Sequence, residues 1–433
     1  MQYRKRAASD ESDEAVVRER VRDILAAVRD DGDEAVAEFT ARFDDVERES
    51  PLLSAAEREE ALSRLPDDER RIVEHNHERI RAFAKRQRES IEAFEESFGT
   101  GISLGQTVRP IPSVGAYVPG GRYPLLSSAL MTITPAVVAG VEDVSVATPP
   151  ATEDGLPHPA TVYAADVAGA DRIYVVGGAQ AIGAMAYGTE TVDGVDKVVG
   201  PGNAYVAEAK RQVFGDVGID MLAGPSEILV LADATADAEL VACDLLAQAE
   251  HDPNARPLLV TTDEQLADDV CAEIDAQLDD LSTADVAGAS WEGEGEVAVC
   301  EDMAEAVAVT NEYAPEHLEV HTEDPRALVD GLHNYGSLFL GEASAVVYSD
   351  KCVGTNHVLP TEGAARYTGG LSVFDCLKVL THQELTSAGA ERVRPWATEQ
   401  ARHERLEGHA KSAYLRGDDA TLDNYEDAEF DLD

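Results

Sequence analysis

The chain has 433 residues and carries 84 Asp plus Glu against 35 Lys plus Arg, a formal net charge of −49. That balance excludes nucleic acid as a partner, because neutralising phosphate takes stripes of Lys and Arg. No run of roughly 18 apolar residues occurs, so no membrane-spanning helix is expected. The acidic residues are spread along the whole length, which reads as a solvated surface adapted to a high-salt cytoplasm, where screening relieves self-repulsion. The basic start Met1-Gln2-Tyr3-Arg4-Lys5-Arg6 runs into Ser, Asp and Glu rather than an apolar core, so this stretch is not expected to act as a signal peptide. Five scattered cysteines (Cys243, Cys271, Cys300, Cys352, Cys376) never fall in Cys-x-x-Cys spacing. They fit reduced thiols in a cytoplasmic protein, with neither a disulfide framework nor a thiolate zinc site.

A chain of this length buries more than one core, so at least two domains are expected. Residues 14–95 are polar and helix-favouring, with Val21, Ile24, Leu25 and Val28 at helical spacing, and read as an all-helical opening. From Val114 the texture changes to short apolar strands alternating with helices. Strands are expected at 114–118, 144–148, 172–176 and 197–199, and helices near 129–140, 158–168 and 204–213. A second series places strands at 227–231, 258–261, 296–299, 338–340 and 345–348, with helices at 236–250, 264–278 and 303–313. This alternation implies parallel sheets covered on both faces. After about Thr381 the pattern turns helical and charged again, ending in an acidic tail expected to be disordered.

Three glycine turns follow strands of the first series: Pro119-Gly120-Gly121, Gly177-Gly178-Ala179-Gln180 and Gly200-Pro201-Gly202-Asn203. Such turns let a backbone approach a pyrophosphate at helix N-termini, although no Gly-x-Gly-x-x-Gly occurs, and each taken singly is an ordinary tight connection.

Four further stretches carry candidate chemistry. In Leu245-Leu246-Ala247-Gln248-Ala249-Glu250-His251-Asp252-Pro253, Gln248 and His251 share one face at a helix end that Pro253 terminates. An amide oxygen and an imidazole converging there make half of a metal site, against the plainer reading of a solvated helix end. Ala223-Gly224-Pro225-Ser226-Glu227 puts a hydroxyl just before a strand. Ala314-Pro315-Glu316-His317-Leu318 sets a carboxylate beside an imidazole directly after a helix, where a wound sheet is expected to open its crevice. A loop from Asp350 to Pro360 holds a carboxylate and His357 seven apart, and Glu404 and His409 lie on a helical segment at 402–416. His75, His77, His158, His321, His333, His382 and His403 are assigned no role.

Five motifs in this order resemble the zinc- and NAD-dependent histidinol dehydrogenase family: Gly200-Pro201-Gly202-Asn203, Ala223-Gly224-Pro225-Ser226-Glu227, Gln248-Ala249-Glu250-His251, Ala314-Pro315-Glu316-His317-Leu318 and Gly354-Thr355-Asn356-His357-Val358-Leu359-Pro360-Thr361. The resemblance spans roughly residues 114–416. It implies an α/β fold of two incomplete Rossmann-like doubly wound units with helical N- and C-terminal segments, in an intertwined homodimer. The implied division is an N-terminal arm at 1–18, a first Rossmann-like domain at 19–113 and 226–380 carrying zinc and catalytic residues, a second, NAD-contacting one at 114–225, and a C-terminal segment at 381–433 that reaches the partner subunit.

Residue by residue, the resemblance implies zinc ligands Gln248, His251, Asp350 and His409, the last reaching in from the other subunit. It implies a catalytic pair Glu316 and His317. The zinc ligands and His317, with Ser226, His357 and Glu404, line the substrate, and Tyr117, Gln180 and Asn203 contact NAD. The implied reaction takes a primary alcohol through an aldehyde to a carboxylate with two NAD, L-histidinol to L-histidine in histidine biosynthesis. An amide oxygen, a carboxylate and two imidazoles suit zinc, which grips and orients substrate while NAD takes the hydride.

Some stretches depart from that pattern. Lys351 follows Asp350 where the family usually has Tyr, and Cys376 replaces an aromatic. Gly120-Gly121-Arg122-Tyr123-Pro124, Ser282-Thr283-Ala284-Asp285 and Ala365-Arg366-Tyr367-Thr368-Gly369-Gly370 look more like a sister branch. That branch oxidises 2,3-dihydroxypropane-1-sulfonate to sulfolactate with the same apparatus, and a cation at Lys351 suits a sulfonate. Cys352, beside Lys351, is read as a bystander rather than a nucleophile.

Overall fold

The computed structural model describes residues 1–7, 14–120, 125–152, 154–418 and 420–432, so residues 121–124 of the Gly120 motif lie outside the described residues. The chain opens with strand β1 (Gln2–Lys5) and helices α1 (Glu14–Asp31), α2 (Asp33–Asp44), α3 (Ala55–Ser63) and α4 (Asp67–Arg88). Strands β2 (Phe94–Ser97) and β3 (Ile102–Pro110) follow. The first wound series is β4 (Ser113–Tyr117), α5 (Leu126–Ala139), β5 (Asp143–Thr148), α6 (Pro159–Ala168), β6 (Arg172–Val175), α7 (Gly178–Tyr187), β7 (Lys197–Val199), α8 (Ala204–Val213) and β8 (Gly218–Ile219). The second is β9 (Glu227–Ala232), α9 (Ala238–Ala249), β10 (Arg256–Thr261), α10 (Glu264–Leu278), α11 (Ala284–Glu294), β11 (Glu296–Val299), α12 (Met303–Tyr313), β12 (His317–His321), β13 (Ser337–Leu340) and a single helical turn α13 (Val346–Tyr348). Strand β14 (Leu377–Leu385) and helices α14 (Ser387–His403) and α15 (Glu407–Tyr414) close the chain.

The described chain divides into two compact units. One is Met1–Arg88 with Ile111–Cys376, and the other is Glu89–Pro110 with Leu377–Asp433. The first unit holds two sheets. A five-stranded parallel sheet runs β6-β5-β4-β7-β8, and a six-stranded one runs β1-β11-β10-β9-β12-β13, parallel except where β1 pairs antiparallel with β11. Strand β9 shows why the sheets form. Ile228 and Val230 pack into one core with α9, while Leu229 and Leu231 pack into the core on the opposite face, so an uninterrupted apolar run is buried on both sides. Helix α1 buries Val21, Ile24, Leu25 and Val28 against Ile182 and Met185 of α7, so the opening helices cover the five-stranded sheet. The second unit is an antiparallel sheet, β14-β3-β2, with α14 and α15.

Three local expectations are corrected. Residues 345–348 are not a strand. The backbone N–H of Val346 is taken by the Glu319 carboxylate at 2.8 Å, and the chain turns helically into a π-turn at Ser349–Val353. Residues 381–385, expected to be helical, are the end of strand β14 along β3. The acidic tail is not loose: Tyr425 and Phe430 stack edge-on against Tyr414, and Arg402 donates to the carbonyls of Tyr425 and Ala428.

Candidate active site

Glu316 and His317 meet Glu227 where β12 starts beside the start of β9. The pairing of His317 with Ile228 brings the Glu316–His317 backbone alongside Glu227. The Glu227 N–H donates to Glu316 Oε2 at 2.9 Å, and His317 Nδ1 lies 2.9 Å from the Glu227 carbonyl. A carbonyl only accepts, so Nδ1 carries the ring proton and the lone pair rests on Nε2. That Nε2 is buried with no protein partner. The pair therefore sits at the amino edge of its sheet, not at the carboxyl-end crevice expected of a wound sheet. The physical reason is helix direction: α9 returns antiparallel to β9, so its C-terminal end, with Gln248 and His251, comes back to that amino edge.

In the last turn of α9, Gln248 is 3% exposed and its Oε1 has no hydrogen-bond partner. His251, exposed just past the helix end, lies within electrostatic reach of both His317 and His357. Asp350 is buried on the π-turn, its Oδ1 3.7 Å from His357 Nδ1. Single π-turns of this kind recur at functional positions. Asn356 anchors the following loop, donating to the Met131 carbonyl and accepting from Val358 N–H. Ser226, half-buried, stands directly ahead of β9. Lys351 is exposed, on a groove with Asp68, Ile72 and Asn76, and its charge reaches His357.

Burial sets the charge states. It pushes the Glu316 carboxyl well above the usual carboxylate range, and the charges of Glu227 and Asp350 add to this while the Glu227 N–H resists. Burial lowers His317 below the ordinary imidazole value, with Asp350 opposing. It also takes His357 down to about 4. Both rings are neutral at pH 7.

The glycine turns gather at the carboxyl edge of the five-stranded sheet. Buried Tyr117 ends β4, and its hydroxyl accepts from Gly178 N–H at 3.1 Å, joining that strand to the start of α7 and to buried Gln180. Gly200 has φ +115°, and a Cβ there would lie 2.2 Å from the Tyr117 carbonyl oxygen, so only glycine fits. Asn203 caps α8, its side-chain oxygen accepting from Tyr205 and Val206 N–H. In the second unit Glu404 ends α14, bonded by Gln400, and His409 lies on α15; both are exposed in the single chain.

Sequence reasoning missed two supports. Glu227, 2% exposed, holds Glu316 and His317 through its backbone, while its side chain bonds Arg256 and the Glu362 N–H. An acid opening an otherwise apolar strand was the available signal. Buried Lys210 pairs with Asp220, and together they bond both the carbonyl and the N–H of Gly200.

Two wound parallel sheets, one edged with glycine turns and the other carrying a buried acid–imidazole pair, make an α/β enzyme of dehydrogenase type. A family model for histidinol dehydrogenase matches residues 6–417. A histidinol dehydrogenase of Halobacterium salinarum is 49% identical over 418 residues, covering 96% of this chain and 97% of that one. A sulfopropanediol 3-dehydrogenase of Ruegeria pomeroyi is 44% identical over 419 residues, covering 96% of each. The crystal structure of histidinol dehydrogenase from Elizabethkingia anophelis superposes with a TM-score of 0.89 at 34% identity, covering 95% of this chain and 94% of that one. The chain belongs to the histidinol dehydrogenase family, a family of NAD-dependent oxidoreductases.

Proposed function

We propose that this chain oxidises L-histidinol to L-histidine through the aldehyde, in two hydride transfers to NAD. In this reading a zinc ion is held by Gln248, His251 and Asp350 together with His409 of the partner subunit in a homodimer. The donor set fits the ion: a buried amide oxygen without a partner, a buried carboxylate and a neighbouring imidazole are groups a dication satisfies. Zinc, when bound, supplies a redox-inert grip on the substrate's nitrogen and oxygen atoms, and NAD supplies the hydride acceptor.

The observation that carries the reading is the Glu227 carbonyl on His317 Nδ1, which leaves a neutral Nε2 free to accept a proton. His317 takes the hydroxyl proton as hydride leaves the alcohol carbon. Water then adds to the aldehyde, with Glu316 taking a proton from it, and a second hydride leaves the hydrate to give the carboxylate. Ser226, His357 and Glu404 line the substrate, and Tyr117, Gln180 and Asn203 contact NAD. Residues 114–225 thus serve NAD, 19–113 with 226–380 serve zinc and catalysis, and 381–433 reaches the partner, with residues 1–18 as an arm. Five free cysteines support work in the cytoplasm.

The second reading is oxidation of 2,3-dihydroxypropane-1-sulfonate, favoured by the exposed cation Lys351 beside Asp350. Offering each alcohol separately with NAD and zinc in concentrated KCl, and counting NADH per substrate consumed, separates the two. Two NADH per histidinol are expected. Turnover of the sulfonate alone would transfer the assignment to the second reading, and inactivity of folded, zinc-loaded protein on both would overturn each.

A further inference from the structure

Three ionisable side chains outside the active site face one another between α9 and β12. They are Asp244, half-buried on α9, and Glu319 and His321 on β12, which are 0% and 1% exposed. One ligand atom from each lies within 4.8 Å of the others, and His321 Nε2 is 3.4 Å from Glu319 Oε2. Glu319 Oε1 accepts from the Val346 N–H at 2.8 Å. Glu319 Oε2 and both ring nitrogens of His321 are buried with no hydrogen-bond partner. Among the described residues no Lys or Arg forms an ion pair with any of the three. A fully buried imidazole with neither nitrogen bonded, set against two carboxylates, leaves a desolvation cost that protein groups do not offset.

We propose that Asp244, Glu319 and His321 bind one divalent transition-metal cation, separate from any ion held at the active site. Two carboxylates supply the two negative charges that a dication balances. The imidazole nitrogen selects zinc, manganese or cobalt over magnesium or calcium, which prefer oxygen alone. The exposed side of Asp244 gives the ion a way in and leaves room for water in its shell. Burial, and then the neighbouring Glu319 carboxylate, push the Asp244 carboxyl up to about 7, so at neutral pH a proton half-fills the role the cation takes over.

The position gives the ion a structural task. Asp244 lies one helical turn ahead of Gln248, and Glu319 and His321 follow His317 on the same face of β12. A cation there cross-links the helix and the strand that carry the two halves of the active site.

The test is metal content. Protein stripped by chelator is dialysed against zinc or manganese, and ions per folded chain are counted by mass spectrometry for wild type, Asp244→Asn, His321→Gln and Asp350→Asn. Asp244→Asn and His321→Gln are each expected to bind one ion fewer than wild type. Asp350→Asn loaded with cobalt is expected to keep a visible absorption band that a further His321→Gln change removes. Should His321→Gln fail to fold, Asp244→Asn, on the exposed side of the cluster, carries the count. An unchanged ion count in folded Asp244→Asn, or no cobalt band in Asp350→Asn, overturns the proposal.

Discussion

His317 and Glu316 share one anchor, the backbone of Glu227, yet burial moves them in opposite directions. It lowers the imidazole below its ordinary value and raises the carboxyl well above its own. A base works only when unprotonated, so each half-reaction should be lost as pH falls through the value of its own base. His317 therefore stays competent to lower pH than an ordinary imidazole, and Glu316 loses competence at higher pH than an ordinary carboxylate. Where falling pH protonates Glu316 while His317 is still neutral, NADH formed per histidinol should drop from two towards one, with aldehyde released. Product analysis alongside NADH counting checks this, and a ratio constant at every pH would count against the division of roles. Glu316→Gln should slow aldehyde oxidation by about 10²- to 10⁴-fold while alcohol oxidation falls much less. The pair itself was legible as Pro315-Glu316-His317, because an imidazole beside a carboxylate advertises proton transfer. Glu227 was not, since its part is played by backbone groups that only the strand register aligns.

Elements explain which of those residues meet. Helices at 204–213, 264–278 and 303–313 follow directly from apolar periodicity and Asn or Asp caps, and the structure keeps those bounds. Strand β12 is not marked as a buried strand because two histidines and a glutamate break the continuous apolar run such a strand carries, although all five of its residues are buried. Tertiary packing, not propensity, makes it a strand. The Gly200 turn shows the same dependence. It is held by Lys210 and Asp220, ten and twenty residues away, whose ion pair is 3% and 0% exposed. Removing one partner leaves the other charge buried and unpaired. Lys210→Met should cost about 3–5 kcal/mol of stability and weaken NAD binding, read by urea denaturation and NAD titration. A loss within roughly 1 kcal/mol would mean that the pair does not hold the turn.

At the scale of the whole molecule the net charge of −49 dominates. Exposed carboxylates repel one another across the surface, and salt shortens the reach of that repulsion to about 10 Å at 0.1 M and about 3 Å at 1 M. Stability should therefore rise with KCl, seen as an upward shift of the thermal midpoint over that range and beyond. A midpoint indifferent to salt would remove the case for adaptation to concentrated salt. The sequence by itself determined the wound α/β class, the two series of strands and the motifs that mark the family, because apolar period, glycine turns and capping residues are local signals. Only the tertiary structure decided that Glu316 and His317 sit at the amino edge of their sheet, that 89–110 groups with the C-terminal segment, and that Asp244, Glu319 and His321 converge. Each of those depends on which strand lies beside which and on the direction in which a helix returns, and residues far apart in the chain carry no local record of either.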